Sequence, residues 1–359
     1  MPVADAINRL GDLDYATRTR AAASLRRRPA PEVAPALLDG LEKHGDGYVR
    51  FRVLVLLSAF SNPRVPDVMR QATYDPNDRL RDVAYSYFEG HPDPSMLGRF
   101  LEALDRETSE FVRPALVRAI AALGAEPRAR DAMLREVMRG QDFFRSSVIE
   151  ALGDHKGAYA VDALIAIAQL EGPLQDDAAL ALGKIGDRKA LPVLAALQRT
   201  APKDTQPAIA AGICLLGVNC EAHRGFLIRS LTFAEDTAGF QPLVRSAAAA
   251  LAPLAAIGDR EAATALLDTG IPSHDPARAP IALASATFAV RNPPLLIALL
   301  ESRPDRRAAL SLVAEGFDML EEDYLEEQFY AAVRKSYWAA AEGSVTRATA
   351  QEIIGTLDF

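Results

Sequence analysis

A short segment recurs along the chain at an almost constant interval. The tripeptide Ala-Leu-Gly places its glycine at Gly124, Gly153 and Gly183, so the steps are 29 and 30 residues. A weaker fourth copy ends at Gly217. Periods of about 20–50 residues indicate a fold in which one small unit stacks on the next. The chain is therefore expected to form a repeat array, in which each unit packs only on its neighbours.

Two further markers keep the same period at other phases. One is a series of arginines that we interpret as a structural ladder: Arg18, Arg50, Arg81, Arg113 and Arg145. The other is a series of large apolar residues: Met69, Leu101, Leu134, Leu164, Leu194 and Leu227. In the better units a second apolar residue follows three positions later, which is the spacing of one helix face. Each unit thus reads as helix, turn, helix, loop, and the glycine of Ala-Leu-Gly is expected to end the first helix with a positive φ.

These markers predict an all-α solenoid of about ten helical hairpins in a single domain spanning residues 1–359, because no period-two alternation indicates a sheet. The approximate units are 12–47, 48–79, 80–110, 111–143, 144–173, 174–204, 205–239, 240–275, 276–305 and 306–343, followed by a C-terminal tail at 344–359.

Charge and cysteine content restrict the partners and the compartment. The net charge is -8, which opposes binding to a phosphate backbone, so no nucleic-acid partner is expected. The densest basic spot, Arg26 to Arg28, is interpreted as a solvated turn between helices. Cys214 and Cys220 are too few to staple the chain, which favours a reducing compartment. No signal segment or membrane span is predicted, so a cytoplasmic location is expected.

The segment from Gln175 to Gln198 closely resembles the HEAT-like repeats first noted in phycobilisome lyases, and the likeness is strongest over residues 144–200. This resemblance implies right-handed stacked hairpins with a concave face lined by second helices. The repeat type serves scaffolds, chromophore lyases and regulatory subunits, and so it implies no single activity.

The sequence contains no pattern that requires catalysis. None of the five histidines lies in a metal-binding spacing, so no metal site, cofactor site or catalytic residue is predicted. Cys214 is expected to be buried as a small apolar residue, and Cys220 is interpreted as structural. The carboxylates follow the repeat period and are interpreted as helix caps and surface charges.

One segment departs from the repeat pattern. Residues 318–338 hold a cluster of aromatic side chains, which are Tyr324, Phe329, Tyr330, Tyr337 and Trp338. The last unit of a solenoid exposes an apolar face, so the segment is predicted to cover it, with Trp338 at least half buried. The alternative is a surface that binds a partner or a second copy of the chain, because Tyr and Trp are enriched at interfaces.

The function predicted from these features is that of a non-catalytic scaffold that binds a partner protein of unknown identity. An alternative implied by the resemblance is a chromophore-lyase-like accessory enzyme. A HEAT-like nucleic-acid-binding protein is a third alternative, which the acidic composition disfavours.

Overall fold

Helices are the only regular elements in the computed structural model, which describes residues 1–237 and 239–359. After α1 (Val3–Arg9), the chain alternates between two rows of helices. The even-numbered row consists of α2 (Tyr15–Arg26), α4 (Gly47–Ser58), α6 (Asp78–Gly90), α8 (Arg113–Ala122), α10 (Asp142–Asp154), α12 (Gln175–Ile185), α14 (Gln206–Leu215), α16 (Gln241–Ala256), α18 (Arg278–Arg291) and α20 (Arg306–Leu320). The predicted all-α solenoid is confirmed.

The odd-numbered row supplies the second layer. Its helices are α3 (Ala30–Lys43), α5 (Val65–Ala72), α7 (Leu97–Arg106), α9 (Pro127–Val137), α11 (Val161–Ala168), α13 (Leu191–Thr200), α15 (Cys220–Asp236), α17 (Arg260–Gly270) and α19 (Pro293–Ser302). Single 3-10 turns lead into α7, α11 and α13. The chain ends with α21 (Asp323–Ala339) and α22 (Val345–Thr356).

The even-numbered helices from α4 to α20 pack side by side and line the concave face. In the predicted units these are the first helices of each hairpin. The helices that pack together as hairpins are, however, pairs such as α1–α2, α3–α4 and α5–α6, which begin at α1. In these pairs the concave-face helices are the second ones, as the resemblance implies. Asp14 and Asp46 accept hydrogen bonds at the N-termini of α2 and α4, as expected of capping acids.

Two of the three Ala-Leu-Gly glycines do not end helices, and Gly124, which follows the C-terminus of α8, has no positive φ. Gly153 and Gly183 lie inside α10 and α12, and the left-handed residue that ends α12 is Gly186, with φ of 86°. A Cβ atom on Gly183 would lie 2.5 Å from the Cα of Gly212 in α14, and one on Gly153 would lie 2.8 Å from the Cα of Ala181. The repeated glycine therefore permits close approach of neighbouring concave-face helices, and the predicted positive φ is wrong.

The C-terminal helices return to the start of the array. Helix α21 packs on α4 and α6 as well as on α18. It buries Tyr324 in the core of the N-terminal repeats, and Phe329 and Val333 in the core of the C-terminal repeats. The array is thus closed by its own last helices, where an open solenoid would leave two separate ends.

Candidate functional site

Helix α21 lies against the N-terminal part of the concave face and is held there by charged pairs. Glu327 accepts hydrogen bonds from Arg26, with Nη2 2.7 Å from Oε2, and both side chains are at least 95% buried. Asp323 pairs with Arg52, and Glu322 lies 3.2 Å from Arg118. Glu322, Asp323 and Glu327, at or just before the start of α21, therefore meet arginines of three different helices, α8, α4 and α2.

Polar and aromatic contacts extend this closure. The Gln328 side chain donates to Ser58 Oγ at 3.0 Å. The guanidinium of Arg26 lies 4.8 Å from the ring centre of Tyr330, and Tyr330 stacks on Phe359 at 4.1 Å. A buried and fully paired arginine such as Arg26 is expensive to separate from its acid, so this closure is strongly fixed.

The aromatic residues predicted to form a cap or partner surface separate into two groups. Tyr324 and Phe329 are buried, and Tyr330 is half-buried against the C-terminal core. Tyr337 is half-buried, whereas Trp338 is 72% exposed, so the prediction that Trp338 is at least half buried is wrong. The helix covers the concave face with its first three turns, and its last turn projects beyond the packed region.

The arginine ladder binds the ends of odd-numbered helices. Arg50 donates to the carbonyl of Leu41 and pairs with Asp75. Arg81 makes two bonds of 2.8 and 2.9 Å to the carboxylate of Glu107. Carbonyl oxygens at helix C-termini lack partners, and these cations supply them.

The other members of the ladder make similar but less complete contacts. Arg18 donates to the carbonyls of Asp12 and Leu13, Arg145 donates to that of Val137, and Arg113 lies 3.9 Å from Glu136. In the repeat that follows Arg145 the arginine series stops, and there Gln175 donates to the carbonyl of Ala168. Arg278 resumes the ladder by binding Gly270 O and Glu315, which the sequence analysis missed because the spacing had changed.

An open cleft of about 750 Å³ remains in the middle of the concave face. One wall comes from α16 and α18 and is mainly apolar. Small side chains line it together with Ile257, Leu283 and Val290, and it also carries Arg245, Thr287 and Arg291. Ile257 is 70% exposed and Leu283 is 38% exposed. Exposed apolar side chains that converge in a concavity mark a binding surface. None of these cleft residues carries a motif, so the sequence analysis missed them.

The opposite wall, from α10 and α12, is charged but internally paired. Asp154 accepts from Lys184 at 2.7 Å and from Arg291 of α18 at 3.1 Å. Burial opposes ionisation of Asp154 and Glu150, but the nearby cations prevail and lower the pKa of both carboxyls. Arg291 also lies 3.5 Å from Glu150, so it joins the two walls of the cleft.

Asp177 is the acid of this wall that lacks a direct cationic partner among the described residues. Burial raises the pKa of its carboxyl, while a hydrogen bond with Ser146 opposes that shift. The charged wall therefore retains one polar group that is available to a ligand.

The described residues, 1–237 and 239–359, contain no candidate metal site. No three His, Cys, Asp or Glu side chains converge there as metal ligands would. Cys214 is buried as expected, but its sulfur is bonded to that of Cys220, so the interpretation of two separate structural thiols is corrected. The turn between α14 and α15 places the two sulfur atoms together.

No single helix in the described part of the chain is long and apolar enough to cross a membrane. One bent pair, α18 and α19 with an angle of 114° between them, satisfies the length and composition criteria together.

Two family models match the sequence. The HEAT repeats model matches residues 3–89, and the PBS lyase HEAT-like repeat model matches residues 174–200. HEAT repeats are therefore matched over these two segments of the helical array. The second match coincides with the segment that resembles phycobilisome-lyase repeats, and it supplies Asp177, Leu180, Ala181 and Lys184 to the charged side of the cleft.

Solved structures with a similar fold are distant in sequence. The CpcE–CpcF complex of phycocyanin lyase from Nostoc sp. PCC7120 is 20% identical, covers 73% of this chain and 97% of that chain, and gives a TM-score of 0.44. Human deoxyhypusine hydroxylase is 21% identical, covers 60% of this chain and 84% of that chain, and scores 0.31. Kap121p bound to RanGTP is 14% identical, covers 98% of this chain and 44% of that chain, and scores 0.43. No curated protein is a significant sequence relative.

Proposed function

We propose that this protein is a non-catalytic scaffold that binds a segment of a partner protein in the open cleft of its concave face. The observation that carries the proposal is the apolar wall formed by α16 and α18, where Ile257 and Leu283 stay exposed inside a concave surface. Burying such a wall is favourable by roughly 25 cal/mol per Å² of apolar surface. A cytoplasmic location is part of the proposal.

Helix α21 illustrates the kind of segment that this face accepts. It is amphipathic, it places acids against Arg26, Arg52 and Arg118, and it buries Tyr324 and Phe329. Binding of an amphipathic helix in a groove is a recurrent mode of peptide recognition. We expect the partner to present a segment with one apolar face toward α16 and α18 and polar groups toward α10 and α12.

The test compares two substitutions of the same chemistry. Leu283→Arg places a charge in the cleft, whereas Leu170→Arg places one at an exposed site after α11, where Leu170 is 65% exposed. Affinity purification from the source cells is expected to recover the same partner with the wild type and with Leu170→Arg. The amount of partner recovered with Leu283→Arg is expected to be lower by about tenfold or more. Equal recovery by both variants, or recovery of no partner by the wild type, contradicts the proposal.

A second candidate function is a lyase-like accessory that holds a chromophore. A volume of about 750 Å³ falls within the range of small-molecule pockets, and the repeat that matches the PBS lyase model forms part of its wall. Incubation with a free bilin followed by gel filtration tests this candidate. Co-elution of absorbance with the wild type but not with Leu283→Arg supports it, and absence of absorbance in the protein peak rejects it.

A further inference from the structure

Two sequence features that the proposed function does not use meet in one cavity. The basic turn of Arg26, Arg27 and Arg28 lies beside the last turn of α21, which carries Trp338, and α22 closes the third side. The enclosed space is about 690 Å³, and we call it the arginine–tryptophan cavity. The turn at Arg26 to Arg28 was interpreted as solvated, but the fold returns an aromatic segment to it from about 300 positions later.

The arginine–tryptophan cavity has a strong excess of positive charge. Its basic lining residues are Arg26, Arg27, Arg28, Arg334 and Lys335, and no acidic side chain lines it in the described part of the chain. Such a concentration is unusual on a chain whose net charge is -8.

The acids behind this lining do not neutralise it. Glu327 serves both Arg26, at 2.7 Å, and Arg334, at 3.6 Å, while Glu32 pairs with Arg28. Arg27 and Lys335 are exposed and form no ion pair with the described residues. Arg27 and Lys335 are therefore available to an anion. Arg334 shares its acidic partner, Glu327, with Arg26.

Arg334 carries a donor without a partner. Its Nη1 atom is buried and donates no hydrogen bond to the described residues. Burial lowers the pKa of Arg334, and the nearby charge of Arg26 acts in the same direction, although Glu327 opposes it. A buried donor that lacks an acceptor is destabilising, so an anion that reached this donor would be bound more favourably.

The aromatic side of the cavity presents a flat exposed ring. The ring of Tyr337 meets that of Trp338 nearly at right angles with centres 5.0 Å apart. The guanidinium of Arg347 lies 4.6 Å from the Tyr337 ring centre and 5.7 Å from that of Trp338. These contacts hold the indole although 72% of Trp338 is exposed, and they leave its surface free for a second flat group.

We propose that the arginine–tryptophan cavity binds a small organic anion in which a phosphate or carboxylate group is attached to a flat ring. Arg27, Arg334 and Lys335 receive the anionic group, since guanidinium groups match the geometry of phosphate and carboxylate oxygens. Trp338 stacks on the ring. This site is separate from the cleft and shares no lining residue with it.

The single tryptophan of the chain allows a direct test, because all indole fluorescence comes from Trp338. The probes are adenosine 5′-monophosphate and 1-naphthoate, which join a flat ring to a phosphate and to a carboxylate. Adenosine and inorganic phosphate supply the ring and the anion separately. We expect at least one joined probe to change the fluorescence saturably, with a Kd about tenfold or more below that of either separate part.

Matched variants separate the cavity from general electrostatic attraction. Arg27→Ala and Lys335→Ala remove exposed cations of the cavity, and Arg188→Ala removes an exposed cation elsewhere. The first two are expected to raise the Kd about tenfold with unchanged melting temperature, and the third to leave it unchanged. Calorimetry on Trp338→Phe supplies a readout that does not depend on the indole.

Three results would overturn the proposal. They are the absence of a saturable change with both joined probes, equal affinity for inorganic phosphate and the monophosphate, and equal weakening by Arg188→Ala and Arg27→Ala.

Discussion

The concave face has one filled part and one open part, and the two neutralise their charges differently. Against α4, α6 and α8, the cations Arg52 and Arg118 meet acids of α21. Between α10 and α18, Asp154 is neutralised by Lys184 and Arg291 of the wall helices, and Glu150 by Arg291 together with Arg118, which lies 3.2 Å away in α8. The filled part therefore depends on a distant segment for its charge balance. The charged groups of the open part are paired without the acids of α21, so the surface that remains uncovered there is mainly apolar.

The largest expected effect is in the filled part. Glu327→Ala leaves Arg26 buried without its carboxylate, so the free energy of unfolding is expected to fall by about 3–5 kcal/mol in denaturant titration. Asp162→Ala is the control, because it breaks an exposed pair with Lys189 and is expected to cost about 1 kcal/mol or less. Equal small losses from both variants would mean that the closure contributes nothing to stability.

The next effect concerns the helices that form the open part. Gly183→Ala places a Cβ 2.6 Å from the carbonyl oxygen of Gly212, so α12 and α14 must separate, and the expected cost is about 1–3 kcal/mol. Gly186→Asn is the control, since Asn tolerates the φ of 86° and nothing lies within 4 Å of the new Cβ. If Gly183→Ala proved neutral in thermal unfolding, the close approach would not constrain this part of the face.

The sequence predicted the repeat fold because period, helix caps and apolar spacing are local properties. It misassigned the function of Gly153 and Gly183 for the same reason. A glycine near a helix end looks like a cap, whereas the need for these two glycines comes from the backbone of a helix about 30 positions away. Arg50 and Arg81 pair with Asp75 and Glu107, which lie 25 and 26 positions later in the chain, so these partners too are set by the fold and not by local spacing.

The candidate sites were harder to predict because distant segments build them. The exposed Trp338 and the buried Glu327 lie on one helix, and only the return of that helix to α2 and α4 decides which of its residues is covered. Likewise, Leu283 and Asp177 belong to different repeats that face each other across the cleft. A solenoid description in which each repeat packs only on its neighbours does not include contacts between distant repeats.

The smallest expected effect is a pH dependence of the filled part. Burial raises the pKa of Asp82 to about 8, with Glu322 and Asp323 adding to the rise and Arg118 opposing it. Burial likewise raises the pKa of Glu326 to about 7. Both groups hold their protons more tightly in the folded chain than in the unfolded chain, where carboxyl groups titrate near 4. Stability is therefore expected to fall as the pH rises from about 4 to about 8.

The variant Asp82→Asn isolates the larger of these two contributions. It is expected to reduce the loss of stability between pH 6 and pH 9 by about 1 kcal/mol, after a discount for solvent screening. Urea midpoints measured across this range check the prediction, and Asp162→Asn should keep the wild-type slope. An unchanged slope in Asp82→Asn would show that this carboxyl ionises freely beneath α21.

The separation of Arg26 from Glu327 along the chain has a consequence during biosynthesis. The two residues are 301 positions apart, and the N-terminal repeats leave the ribosome first. At translation rates of about 5–20 residues per second, Arg26 and Arg52 wait roughly 15–60 s for the acids of α21 to be made. Through that interval the nascent N-terminal repeats present an arginine-lined groove without its intrachain helix. The nascent protein is then most receptive to an acidic amphipathic segment from another molecule, and completion of the last helix ends that period.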